Sequence, residues 1–265
     1  MDNISSKRIS KLVVSMFLTV MLFDSVAYAA ISSMEEAVNK AGRQRMLTQK
    51  MLKEYVLIGM ESSYGSPKEA LPKSIALFEK QLGELQAYIK DKEAAKSLVK
   101  VKKLWSPIKK IVGAPPKKER VPALQRDLET LLKAAHKSTL LITKASKTAA
   151  GEIVNISGRQ RMLSQRMAGL YMLKVWGIED PEFQKKLSTA MEQFSAAHKK
   201  LLATPLNTDK TNALLAKVGK SYMFFEIMGK SNSKKFIPSL INRSANEILK
   251  NMNTATGLYA SGKKQ

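Results

Sequence analysis

A thirteen-residue stretch occurs twice in this chain and constrains its fold more than any other feature. The copies read NKAGRQRMLTQKM from Asn39 to Met51 and NISGRQRMLSQRM from Asn155 to Met167, with nine identical positions. The two copies lie 116 residues apart, and weaker matches continue on both sides at the same spacing. Because solenoid units span only about 20–50 residues, a repeat this long indicates a duplicated domain.

Each copy has the spacing of a helix that buries one stripe against a neighbouring helix. In the first copy the stripe comprises Met34, Val38, Ala41, Arg45, Thr48, Leu52, Tyr55 and Gly59. In the second copy it comprises Ala150, Val154, Ser157, Arg161, Ser164, Ala168, Tyr171 and Val175. Both stripes are apolar or small except at one position, where each carries an arginine.

Arg45 and Arg161 therefore occupy positions where leucine would be expected, and a buried unpaired guanidinium is very costly. One interpretation is that a bound anion neutralises them, since the guanidinium fork suits planar oxyanions. The alternative is that carboxylates of the same bundle pair with them. The neighbouring side chains are small and leave room for a bound ligand. The hydroxyls of Thr48 and Ser164, one turn along, could donate hydrogen bonds to that ligand. The predicted ligand-binding residues are Arg45, Arg161, Thr48, Ser164, Gly42 and Gly158.

The other cations of the motif lie off the stripe and are predicted to be solvated or interface charges. They are Arg43, Arg159, Lys50 and Arg166. No metal site or catalytic site is indicated. The chain has two histidines, His136 and His198, without a second histidine at metal-ligand spacing, and it has no cysteine. It also lacks a glycine-rich phosphate loop and a nucleophile elbow. We therefore expect a protein that is not an enzyme and has no cofactor.

The periodicity is helical throughout, and glycine and proline fall at breaks between helices. The sequence predicts an all-α fold of two tandem four-helix bundles, at residues 30–146 and 147–265. Asp180 is predicted to cap the sixth helix. The segment 147–151 joins the two bundles and contains only one glycine, which costs about 1 kcal/mol in a helix. The composition of this segment therefore weakly favours a continuous helix with the bundles stacked end to end. If the join turns, the bundles lie side by side with their arginine helices along a shared seam.

Residues 1–29 are typical of a cleaved signal peptide. A basic segment precedes an apolar run from Leu12 to Phe23, and Ala27-Tyr28-Ala29 fits a cleavage site. An uncleaved membrane anchor is the alternative. We therefore expect a periplasmic protein, or one anchored to the membrane if the signal is retained.

The motif resembles the conserved box of the sensor domain shared by the type IV pili chemotaxis transducer PilJ and the nitrate/nitrite sensor kinase NarX. The resemblance implies that two such helices face each other and that one arginine from each grips a single nitrate. The matching positions here are Arg45 and Arg161, so one chain could form the site as an intramolecular pseudo-dimer, with a homodimer as the alternative. The family's sensors carry membrane spans and a signalling module that are not seen in this sequence. The resemblance therefore implies a binding component that works with a membrane receptor or histidine kinase.

Three hypotheses follow for function. The first is a periplasmic protein that binds a small oxyanion, with nitrate or nitrite favoured. The second is an interaction module that docks on an acidic receptor, pilus or chemotaxis component without a small ligand, which the net charge of +23 would suit. The third and weakest is binding to DNA or lipopolysaccharide. Nucleic acid is disfavoured because aromatic residues make up only 6% of the chain and mostly fall on the apolar stripes.

Overall fold

The computed structural model describes residues 31–230 and 237–262. These residues form eight α-helices and one short 3-10 turn. The helices are α1 (Met34–Gly59), α2 (Pro67–Tyr88), α3 (Lys92–Val112), α4 (Val121–Ser146), α5 (Ala149–Val175), α6 (Phe183–Leu202), α7 (Asp209–Lys230) and α8 (Pro238–Ser261). The predicted all-α fold of two four-helix units is confirmed. The predicted signal peptide lies outside the described residues, and none of the described helices is long and apolar enough to cross a bilayer.

Several helix starts are fixed by side chains that accept from otherwise unpaired backbone N–H groups. The Ser33 hydroxyl accepts from the backbone of Glu36 at the start of α1, and Asp91 caps α3 in the same way. The prediction that Asp180 caps α6 is wrong by two residues. α6 begins at Phe183, and Asp180 instead accepts from the backbone N–H of Glu182 in the preceding turn.

The chain turns sharply between the two units, so the expectation of a continuous helix is also wrong. Lys147 adopts a left-handed conformation with φ of 54°, which ends α4. The hydroxyl of Thr148 then accepts from the backbone of Gly151 at 3.0 Å and opens α5. Threonine hydroxyls compete with helical hydrogen bonds in this way. The helix propensities of the individual residues do not predict this competition. Gly151 lies in the first turn of α5, where a side chain would strike Ser146.

The two motif helices lie side by side and parallel, and they make the most extensive helix contact in the molecule. Their register matches the repeat: Gly42 faces Gly158, and Lys53 faces Gly169. α1 also packs on α2 and α4, while α5 packs on α6 and α8. The two units are thus related by a pseudo-two-fold axis that runs between α1 and α5.

Equivalent hydrogen bonds in the two units confirm this relation. The amide of Gln44 donates to the carbonyl of Phe78 at 3.2 Å, and the amide of Gln160 donates to the carbonyl of Phe194 at 2.9 Å. Each bond ties a motif helix to the next helix of its own unit. The motif stripe therefore lies inside the protein, at the junction of the two bundles.

Candidate functional site

Arg45 and Arg161 are both fully buried where α1 and α5 meet. Each arginine reaches across the junction to the opposite helix. Nη2 of Arg45 donates to the carbonyl of Asn155 at 3.1 Å, and Nη2 of Arg161 donates to the carbonyl of Asn39 at 3.2 Å. The reciprocal pair brings two guanidinium groups into one buried place. The stripes predict the burial of each arginine, and the side-by-side arrangement of the bundles brings them together.

The second contact of each guanidinium is with the last helix of its own unit. Nη1 of Arg45 donates to Nδ1 of His136 at 3.2 Å, and Nη1 of Arg161 donates to Oδ1 of Asn253 at 3.1 Å. Because a guanidinium only donates, Nδ1 of His136 must be the unprotonated nitrogen of a neutral ring. Burial, with Arg45 and Arg159 nearby, lowers the pKa of His136 to about 4, which keeps the ring neutral at physiological pH.

No carboxylate within 31–230 or 237–262 forms an ion pair with either arginine. Burial lowers the pKa of Arg45 to about 9, with a smaller contribution from Arg159. Burial also lowers the pKa of Arg161 well below its usual range, and the charges of Arg43 and Arg45 add to the effect. Arginine stays protonated in proteins, so these shifts measure an unfavourable environment for the charge. The junction thus holds two uncompensated positive charges.

Both guanidiniums also have unused hydrogen-bonding capacity. Each has five N–H donors. Two hydrogen bonds are formed by each group, and Nε of both Arg45 and Arg161 has no partner within the described parts of the chain. A species that accepts hydrogen bonds and carries negative charge would satisfy both deficits at once.

Glycines provide the space beside the two charges. A methyl group at Gly42 would lie 3.2 Å from Nη2 of Arg45 and 3.5 Å from Nη2 of Arg161. A methyl group at Gly158 would lie 3.1 Å from Nη2 of Arg161 and 3.5 Å from Nη2 of Arg45. Both guanidiniums therefore converge beside the two glycines, where a larger side chain would crowd them.

The hydroxyls of the predicted site are already engaged within their helices. Oγ1 of Thr48 donates to the carbonyl of Arg45 at 2.8 Å, and Oγ of Ser164 donates to the carbonyl of Arg161 at 2.9 Å. Both residues are fully buried beside the arginines. Their hydroxyl protons are not directed to a guest in this structure.

A groove of about 380 Å³ leads from the surface between α4, α5 and α6 to Arg45. Seven basic side chains, counting the neutral His136, and one acidic side chain line the groove. These are Arg45, Lys133, His136, Arg159, Arg166, Lys185, Lys186 and, as the acid, Glu182. A groove with mostly positive charge concentrates counter-ions, so it attracts anions toward Arg45.

Of the remaining motif cations, Arg166 is an interface charge, as predicted, and Arg159 and Lys50 bond within their own unit. Arg43, predicted to be a solvated or interface charge, is partly buried, and its Nε has no hydrogen-bond partner within the described residues. Nη1 of Arg166 pairs with Glu129 of the other unit at 2.6 Å, and Arg159 donates to Gln193 at 3.0 Å. Lys50 pairs with Glu54. The contact of Arg45 with His136 is not predicted by the sequence, which indicates only that the histidines lack metal-ligand spacing. No group of three potential metal ligands occurs in the described parts of the chain.

The model of one protein family matches residues 27–134 and 142–219, a segment in each unit. The family is described as the N-terminal domain of the type IV pili methyl-accepting chemotaxis transducer, PilJ. The chain belongs to the PilJ family. The two matched segments agree with the duplication seen in the sequence and in the paired motif helices. Neither the curated proteins nor the solved structures contain a significant match.

Membership of the PilJ family identifies the kind of module that the chain contains. The family domain is a chemotaxis-transducer sensing domain that is typically extracytoplasmic, and it belongs to no known enzyme family. The paired arginines lie at the centre of this sensing module, at the junction of its two copies.

Proposed function

We propose that this PilJ-family protein is a periplasmic sensor component that binds one small planar oxyanion, nitrate or nitrite, between Arg45 and Arg161. The observation that carries the proposal is the pair of buried guanidiniums with no carboxylate partner in the described residues. A monoanion between them would offset part of their charge and accept from the unused donors. The earlier resemblance to nitrate sensors favours nitrate and nitrite among small oxyanions.

The geometry gives each predicted residue a role in such a site. Arg45 and Arg161 would supply the charge and the donors from the two helices. Gly42 and Gly158 would keep the space between them open. Thr48 and Ser164 would line the site, and their hydroxyls would have to leave the helix carbonyls before they could donate to the anion.

Thermal unfolding of the purified protein with nitrate, nitrite, sulfate or chloride at matched ionic strength tests this function. A ligand that binds only the folded state stabilises it by about 2.7 kcal/mol at one hundred times its dissociation constant. We expect nitrate or nitrite to raise Tm, and the rise to disappear in the Arg45→Met/Arg161→Met variant. Arg126→Met, which removes one exposed charge on α4, should keep the response. Equal small shifts for every salt would indicate charge screening and refute the site.

We also infer that the protein is exported and processed after Ala29. The leader of residues 1–29 and the extracytoplasmic character of the family support this location. N-terminal sequencing of protein from the periplasmic fraction should begin at Ala30. Recovery in the membrane fraction with the leader intact would instead establish an anchored form. In either location we expect the partner to be a membrane receptor or a histidine kinase ectodomain.

An exposed face of α7 favours a second candidate, the interaction module without a small ligand. Met223, Phe224 and Ile227 are large apolar residues that are 39–59% exposed, and Lys217 and Lys220 lie on the same helix. A mixed apolar and basic face would suit an acidic protein partner. Under this function, capture of an acidic receptor ectodomain would fail with Ile227→Glu and persist with Arg45→Met/Arg161→Met. The opposite pattern would exclude it.

A further inference from the structure

At one position inside the junction of α1 and α5, the two repeats differ by a charge. The first repeat has Lys53 where the second has Gly169. A methyl group at Gly169 would lie 3.8 Å from Cβ of Lys53, an ordinary contact distance, so the two residues face each other across the junction. The junction therefore holds one buried lysine that the pseudo-two-fold relation does not repeat.

Lys53 is only 2% exposed, and its charge has little compensation. Its Nζ donates to Oδ1 of Asn246 at 2.8 Å. The neighbouring Glu54 is already engaged, because its carboxylate pairs with Lys50 and accepts from the Ser74 hydroxyl at 2.8 Å. No ion pair to Lys53 occurs among the residues the structure describes. An ammonium group has three donors, so two of the Lys53 donors remain available.

Lys53 lies in a cavity of about 520 Å³ formed by α1, the start of α2 and α8. This volume lies within the range of about 300–1,000 Å³ for sites that hold small molecules. The cavity joins the two units, and the loop after α1 closes one side. In that loop Gly65 has φ of +76°, and a side chain there would meet the amides of Asn242 and Asn246.

Asn242 supplies a second, independent deficit in the same cavity. It is 3% exposed, and its Nδ2 donates to the carbonyl of Tyr64 at 2.9 Å. Its Oδ1 is buried and has no hydrogen-bond partner within the described ranges. Buried acceptors without donors are rare and costly. The residues that line the cavity thus include a cation with unused donors and a neutral side chain whose acceptor has no donor.

We propose that this cavity binds a small organic carboxylate that also carries a hydrogen-bond donor, as in hydroxy acids and amino acids. The carboxylate would bind Lys53, with the exposed Lys250 at the rim, and the hydroxyl or ammonium group would donate to Asn242. A bare inorganic anion would satisfy Lys53 but leave the Asn242 acceptor without a donor. The site is separate from the paired arginines, although Asn253 lines this cavity and also accepts from Arg161.

Calorimetric titration of the full chain with lactate, alanine and acetate tests the proposal. The titrations are run at matched ionic strength, below the Lys53 pKa of about 7, to which burial lowers it. We expect lactate or alanine to bind, and acetate to bind about tenfold more weakly because it lacks the donor. Lys53→Met should abolish binding of all three. Lys102→Met, an exposed change on α3, should leave it unchanged.

A second variant separates the two halves of the recognition. Asn242→Leu removes the acceptor, so it should bring lactate down to the affinity of acetate. Absence of binding by every probe, or binding that survives in Lys53→Met, overturns the proposal. Equal affinities for lactate and acetate in the native protein also overturn it. Nitrate binding in Lys53→Met and lactate binding in Arg45→Met/Arg161→Met are measured in parallel, so failure at one site is distinguished from failure at the other.

Discussion

Removing one of the buried arginines should make the ligand-free protein more stable. Arg45 is fully buried and has no carboxylate partner in the described residues, and burial lowers its pKa from its ordinary value to about 9. Each pKa unit corresponds to about 1.4 kcal/mol, so the charge costs the folded state about 5 kcal/mol. Arg45→Met removes that charge and largely keeps the side-chain volume.

The gain is reduced by the hydrogen bonds that the substitution removes. Nδ1 of His136 loses its donor, and an unsatisfied buried acceptor costs about 1–3 kcal/mol. The net gain is therefore about 2–4 kcal/mol. At about 2–4 °C per kcal/mol for a domain of roughly 150–250 residues, Tm should rise by about 4–16 °C.

Differential scanning calorimetry in a buffer free of nitrate and other small oxyanions measures this change. Arg126→Met is the matched control, because it makes the same substitution at an exposed position of α4 and should change stability by less than about 0.5 kcal/mol. If Arg45→Met lowers Tm in the absence of oxyanions, the guanidinium is already compensated in the folded state. The argument for an anion would then fail.

Two further predictions concern the same junction. Burial, the largest cause, lowers the folded-state pKa of Lys53 from 10.5 to about 7. The unfolded chain therefore binds more protons than the folded protein between about pH 7 and pH 10.5. Because of this difference, the unfolding free energy rises with pH across that window. The rise attributable to Lys53 should total about 5 kcal/mol. Urea unfolding across the window should show a flatter dependence for Lys53→Met, and identical slopes would contradict the assignment. Gly59→Ala should cost about 1–3 kcal/mol because its methyl group would enter the Trp176 ring at the far end of the α1–α5 contact. Gly83→Ala, in α2 with open space around it, should instead gain about 1 kcal/mol, and equal effects of the two alanines in urea unfolding would contradict the close approach.

The burial of the two arginines could be predicted because it depends on helical spacing and duplication alone. Spacing placed Arg45 and Arg161 on the buried stripes, and the repeat implied equivalent surroundings for both. Their burial follows directly from that pattern. Their convergence does not, because the join favours an end-to-end arrangement in which the two arginine helices would not face each other. The missing carboxylate partner did not follow, because pairing with acids of the same bundle was equally compatible with the spacing.

The turn between the bundles could not be predicted from helix propensity. The residues around Lys147 are each tolerated in a helix, and the deciding interaction is the hydrogen bond from the Gly151 N–H to the Thr148 hydroxyl. This hydrogen bond favours a new helix start at Thr148 over continuation of α4. Only the packing of α5 on α1 shows that the new start is the more stable arrangement. The same turn brings the two motif helices side by side.

The contacts of His136 and Lys53 required the tertiary structure for a similar reason. His136 lies 91 residues from Arg45 in the chain, and its role depends on how α4 packs on α1. Lys53 lies off the predicted stripe, and its burial depends on how α5 and α8 pack against α1. Comparison of the repeats shows that Lys53 has no equivalent in the second repeat, but only the packing shows that Lys53 lines a cavity.

The central claim is that one chain holds one oxyanion between Arg45 and Arg161. Isothermal titration of the native protein with nitrate and with nitrite, repeated on Arg45→Met and on Arg161→Met, tests it most directly. The account predicts a stoichiometry of one anion per chain with nitrate or nitrite, and loss of binding in either single variant. Half an anion per chain would place the site between two copies. Binding that persists in both variants would contradict the claim.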